Sequence, residues 1–105
     1  MTDLPPHSAT FVASRLTKGN HLFPTRISVT PQHVSRIKPR WFGTSEESIA
    51  LDKVASVQIT TGVFWSEIRI DSSGGTNPIL SHGHRKRDAE QIRDLIERLQ
   101  RERQQ

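Results

Sequence analysis

Between His21 and Leu80, apolar and polar residues alternate with a period of two, and after Asp88 the period becomes that of a helix. Leu22–Thr30 places Ile27 and Val29 on one face and Arg26, Ser28 and Thr30 on the other. Pro31 and Gln32 then make a tight connection, because proline presets the turn dihedral. Val34–Phe42 is the next expected strand. Its period is imperfect, because Val34 lies out of phase with Ile37, Pro39 and Trp41, which predicts a bulge or an edge position. The same alternation puts Arg36, Lys38 and Arg40 together on the other face.

Gly43-Thr-Ser turns the chain into Glu47–Leu51, with Ile49 and Leu51 inward, and Asp52-Lys53 makes a corner. Val54–Thr61 follows with Ala55, Val57 and Ile59 on one face, and Gly62 ends it. Phe64–Asp71 returns with Phe64, Ser66, Ile68 and Ile70 inward, and with Trp65, Glu67 and Arg69 outward. Ser72-Ser-Gly-Gly-Thr76 is the strongest hairpin signal, since glycine reaches positive backbone angles at little cost, and Pro78–His82 supplies a short last strand.

In the C-terminal segment Ala89, Ile92, Leu95, Ile96 and Leu99 share one stripe of a helix expected over residues 86–101. Glu90, Arg93, Asp94, Glu97 and Arg98 face water on the same helix. Six or seven short antiparallel strands cannot all bury a face in one flat sheet of this length, so they must curl into a barrel or two packed sheets. The predicted fold class is mostly β with one C-terminal α-helix that closes an open end. Full burial of Ile92, Leu95, Ile96 and Leu99 there is worth about 6–10 kcal/mol, so Leu95→Asp is expected to unfold the domain.

A chain of 105 residues holds one domain. Residues 1–20 read as a lead-in, disordered over the two prolines of Met1–His7, with Thr10–Leu16 either a first strand or a short helix. Residues 21–100 form the domain, and 101–105 a disordered tail. With no cysteine, disulfides and thiolate metal sites are excluded, which agrees with a cytoplasmic protein. No apolar run approaches the roughly 20 residues of a membrane-spanning helix, and the first residues lack the pattern of a signal peptide.

Charge is distributed unevenly. Leu4–Ser45 holds six basic residues and no acid, Glu46–His84 has five acids against two bases, and Arg85–Gln105 has seven bases and five acids. The basic first half favours a phosphate-bearing partner.

Phe23-Pro-Thr-Arg-Ile-Ser-Val-Thr30, Trp41-Phe-Gly43 with Ser48-Ile-Ala-Leu-Asp-Lys-Val-Ala-Ser-Val57, and Ile68-Arg-Ile-Asp-Ser-Ser-Gly-Gly75 stand in this order. His82-Gly83, Asp88-Ala89 and Ile92 follow. Together, over residues 21–100, they resemble the bacterial proteins of the pleckstrin-homology-like superfamily that consist of one small domain. The resemblance implies a partly open barrel of about seven strands capped by the helix. It implies no single activity, because the superfamily includes lipid-headgroup binders, peptide binders and oligomerising scaffolds. Members that bind phosphoinositides use Lys and Arg around their first two strands, which makes Arg26, Arg36, Lys38 and Arg40 candidate anion-binding residues here.

Other chemistry is poorly supplied. His82-Gly-His84 offers two metal ligands where zinc needs three or four, so neither a metal nor a cofactor is expected. Ser72-Ser-Gly-Gly lacks the Gly-Lys-Ser/Thr ending of a phosphate loop. No catalytic residue is assigned: no serine sits in a nucleophile elbow and no carboxylate pair has an evident partner. Arg85-Lys-Arg87 is not interleaved with aromatic rings, which argues against nucleic acid. The aromatic pairs Trp41-Phe42 and Phe64-Trp65 lie beside glycines at strand ends, and Trp41, Phe42 and Trp65 are the candidate interaction surface. The expected function is a non-enzymatic PH-like interaction module that self-associates or docks a protein partner through a barrel edge and these aromatic residues. The alternative is peripheral binding of anionic phospholipid headgroups through the basic strand face.

Overall fold

A computed structural model describes residues 8–14, 22–75 and 77–103. Among the described residues seven antiparallel strands form two sheets, followed by one helix. The first sheet contains β1 (Ala9–Val12), β2 (Arg26–Val29), β3 (His33–Pro39) and β4 (Thr44–Ala50), in that spatial order. A single 3-10 turn, Leu51–Lys53, carries the chain into the second sheet of β5 (Val54–Thr61), β6 (Ser66–Ser72) and β7 (Ile79–His84). The helix α1 (Lys86–Arg103) ends the described chain.

The core lies between the sheets and under the helix. Ile27, Val29, Val34 and Ile49 face Ile68, Ile70 and Ile79, and Ala89, Ile92, Ile96 and Leu99 of α1 close the remaining side with Leu51. The helix packs on β5, β6, β2 and the 3-10 turn. Gln100 locks that corner: its Nε2 donates to the carbonyls of Leu51 at 3.3 Å and Val54 at 3.0 Å. The mostly-β class with one closing C-terminal helix is therefore what the chain adopts, as two sheets in a partly open arrangement. On the helical stripe Leu95 is only half-buried, so the seal depends on Ile92, Ile96 and Leu99.

Several local expectations change. Of the two readings of Thr10–Leu16 the strand is the one observed, over Ala9–Val12 and paired along its length with β2. The helix runs two residues beyond 101. Strand β3 has no bulge: its pairing with β4 is regular from His33–Ala50 to Pro39–Thr44. Its inward face is that of Val34, which lies in the buried row Val29–Val34–Ile49. Pro39 is tolerated because it lies past Arg26–Ile37, the last β2–β3 pair, where that neighbouring ladder has ended.

In β5 a bulge sets Ala55 and Ser56 against the single residue Asp71, which buries Val54 and turns Ala55 outward. Strand β6 starts only at Ser66. The Gly62 N–H donates to the Trp65 carbonyl at 2.8 Å and closes a turn over Val63 and Phe64. Phe64, expected in the core, is thus a hairpin-tip residue and 75% exposed.

Candidate functional site

The four expected cations do not share a face. Arg26 pairs with Ile37 and points outward, whereas Arg36 follows Val34 on the inner face in the row Ile27–Arg36–Glu47. The Arg36 guanidinium bonds Glu47 Oε1 at 3.2 Å through Nη1, and its Nε is buried without a hydrogen-bond partner. The Lys38 ammonium donates to the Phe23 carbonyl at 2.6 Å. Burial lowers its pKa, and the neighbouring Arg36 and Arg40 charges lower it further. Arg40 is exposed at the end of the strand.

Beyond Arg40 the chain reverses. The Arg40 N–H donates to the Gly43 carbonyl at 3.0 Å, and Gly43 takes a positive φ of 96°, which leaves Trp41 and Phe42 as the two tip residues of the β3–β4 hairpin. They are 76% and 96% exposed. The Trp41 ring meets Phe23 edge to face, with centroids 5.0 Å apart. Beside them a depression of about 340 Å³ is lined by Val12, Leu22, Phe23, Pro24, Arg26 and Pro39. Trp41 and Phe42, expected as an interaction surface, thus stand at an apolar end of the first sheet, with Arg26 lining the depression beside them. Trp65 is half-buried, and Val63 and Phe64 form a second exposed tip instead.

A second cluster lies between the sheets. Pairs Ile70–Ile79 to Ile68–Ser81 are in register, and then Ser66 pairs with His84, so His82 and Gly83 together oppose Glu67. Gly83 takes the positive φ of 81° that this bulge requires. The extra residue turns His84 inward beside Ser81, and Ser81 Oγ lies 2.6 Å from His84 Nε2. Ser66, its cross-strand neighbour, is fully buried, and neither Ser66 Oγ nor His84 Nδ1 has a hydrogen-bond partner. Burial, then the His82 and Arg36 charges, lowers the His84 pKa to about 4.

A serine hydroxyl on a neutral imidazole is the first half of a nucleophilic pair, but a nucleophile must reach substrate and its base needs an orienting partner. Ser81 and His84 are buried, and His84 Nδ1 has no such partner. His82 is exposed while His84 is buried, so the two histidines do not converge on one ion. Among the described residues no three His, Cys, Asp or Glu side chains come together.

The sequence reading missed this cluster because strict alternation puts residues 81 and 84 on opposite faces. The one signal for it was a glycine inside the last strand, a common mark of a bulge. Comparison of the chain with protein-family models, with curated proteins and with solved structures finds no match.

Proposed function

We propose that the protein is a non-enzymatic interaction module whose working surface is the apolar end of the first sheet, built from the Trp41–Phe42 tip, Phe23 and the adjoining depression. The observation that carries this reading is the exposure of the tip, 76% at Trp41 and 96% at Phe42, on a hairpin whose strands contribute Val34 and Ile49 to the core. An exposed aromatic pair contributes little to folding and favours association once covered. The PH-like resemblance belongs to this reading. It is supported by the order of seven strands and a closing helix, and it lends no site residue. A cytoplasmic setting belongs to it too, supported by the cysteine-free sequence. Self-association and a protein partner are both occupants of such a surface.

Phe42→Ser tests the surface without presuming its occupant. The expected result is an unchanged unfolding midpoint together with weaker retention on a phenyl hydrophobic-interaction matrix. A collapsed midpoint would make the tip part of the fold, and unchanged retention would make it inaccessible. Either result overturns the reading.

A further inference from the structure

We infer that the protein pairs with a second copy of itself through the outer edge of β5, antiparallel and centred on Gln58. This goes beyond the docking reading above, since it uses neither Trp41 nor Phe42. Among the described residues β5 pairs only with β6, which makes it an edge strand of the second sheet. An edge presents N–H and C=O groups to any passing strand, and folded proteins blunt it with short length, charge, proline or a bulge.

Strands β1, β4 and β7, at the other edges, carry such guards. Strand β1 has four residues, and β4 carries Glu46 and Glu47. In β7 the Gly83 bulge interrupts the edge, and the Gly83 carbonyl accepts the Ser14 N–H at 2.9 Å. By contrast, β5 is eight residues, Val-Ala-Ser-Val-Gln-Ile-Thr-Thr, with no charge, proline or glycine. Its bulge lies at the Ala55–Ser56 end, where Gln100 of α1 also engages the Val54 carbonyl, so Val57–Thr61 pairs regularly.

Hydrogen-bond parity shows which groups this run turns outward. The Gly62 N–H donates to the Trp65 carbonyl across the hairpin, and bonded pairs recur at every second residue. Thr60 and Gln58 therefore turn their N–H and C=O toward Glu67 and Arg69 of β6. Those of Val57, Ile59 and Thr61 point to the outer edge.

The run is also self-complementary. Ser56, Gln58 and Thr60 are exposed, and Val57 and Ile59 lie half-buried against the core. A two-fold axis at Gln58 sets Val57 against Ile59 of the second copy, Ser56 against Thr60, and Gln58 against itself. No charge on the run selects a charged partner, whereas its order of hydroxyl, branched apolar and amide side chains matches its own reverse. Two three-stranded sheets then become one continuous sheet, and Val57 and Ile59 of both copies cover one another.

The test is solution mass by sedimentation equilibrium across the micromolar range, combined with a cysteine placed on the axis. The expected result is a monomer–dimer equilibrium that Phe42→Ser leaves unchanged. Gln58→Lys and Gln58→Glu should each weaken it about fivefold, through like charges directly opposite. An equimolar mixture of the two should restore it as a mixed dimer. The chain has no cysteine, so Gln58→Cys should form a disulfide-linked dimer on mild oxidation. Residues opposite each other in a position without mutual hydrogen bonds stand about 4.5 Å apart at Cα, which a disulfide spans. Thr60→Cys, which faces Ser56 of the second copy, should not cross-link.

A monomer at every concentration overturns the inference. So does a dimer that Phe42→Ser abolishes and the Gln58 variants leave intact, which would assign self-association to the docking tip instead. Cross-linking of Thr60→Cys as fast as Gln58→Cys overturns it as well. Gln58 is exposed, so unchanged unfolding midpoints in its variants separate lost pairing from lost folding.

Discussion

Ser81 and His84 are three residues apart on one strand, yet their side chains meet at 2.6 Å inside the protein, a contact that regular β alternation forbids. The bulge at His82–Gly83 makes it, and the imidazole is consequently held neutral between two sheets.

Acid should therefore destabilise the fold through this group. The folded pKa of His84 is about 4 against an ordinary 6.5, so between those values the unfolded chain binds more protons and stability falls as pH falls. The loss begins near pH 6.5 and is complete below the folded value. It amounts to about 3 kcal/mol in all, with about 2 kcal/mol already lost by pH 5, before most carboxylates titrate. Urea unfolding of wild type and His84→Gln from pH 7 to 5 checks this. The variant is expected to be less stable at pH 7 and to show the flatter profile. Parallel profiles would mean that His84 is not held neutral.

Gly83→Ala should cost about 1–2 kcal/mol, since an L side chain at a φ of 81° is strained. Should β7 relieve that strain by losing its bulge, His84 would turn outward. A histidine pKa returning toward 6.5, read by NMR titration, would accompany the lower unfolding midpoint.

The helix seal is graded along its length. Ile96→Ala, at a fully buried position, should cost about 2–5 kcal/mol. Leu95→Ala, at the half-buried neighbour, should cost clearly less. Leu95→Asp should leave a folded protein, contrary to the expectation from the stripe alone. Thermal melts of the three variants rank them directly, and equal losses would contradict the observed helix rotation.

Gln100→Ala should cost about 1–3 kcal/mol, because its amide satisfies the Leu51 and Val54 carbonyls at the corner between the sheets. Hydrogen exchange should show faster opening at the 3-10 turn and the start of β5. Protection unchanged there would remove the corner role.

The elements with strong local signals were legible in the chain. Val54–Thr61 has its observed bounds in the alternation, the Pro31–Gln32 connection sits between strands as expected, and the helix follows its stripe. What escaped depends on pairing between distant segments. Ala9–Val12 is too short to declare itself and becomes a strand only beside Arg26–Val29. Val34 and Ile37 compete for the inward face of β3, and the rows to Val29 and Ile49 decide for Val34. That choice moves Arg36 from a solvated basic face to the space between the sheets. Bulges at Ala55 and Gly83 each shift the alternation by one residue, and period counting cannot anticipate a shift. Of the candidate site, Trp41 and Phe42 were visible as aromatics beside a glycine. Their union with Phe23 and Lys38 required the fold.

The Lys38–Phe23 hydrogen bond and the edge contact of Phe23 with Trp41 tie the hairpin to the segment entering β2. Trp41 is thus oriented before any partner arrives, and ordering on contact is concentrated in Phe42. A surface prepared in this way loses little rotamer entropy when covered. It also fixes the angle at which the rest of the molecule stands on whatever it touches, because the tip cannot swivel independently of the sheet that carries it.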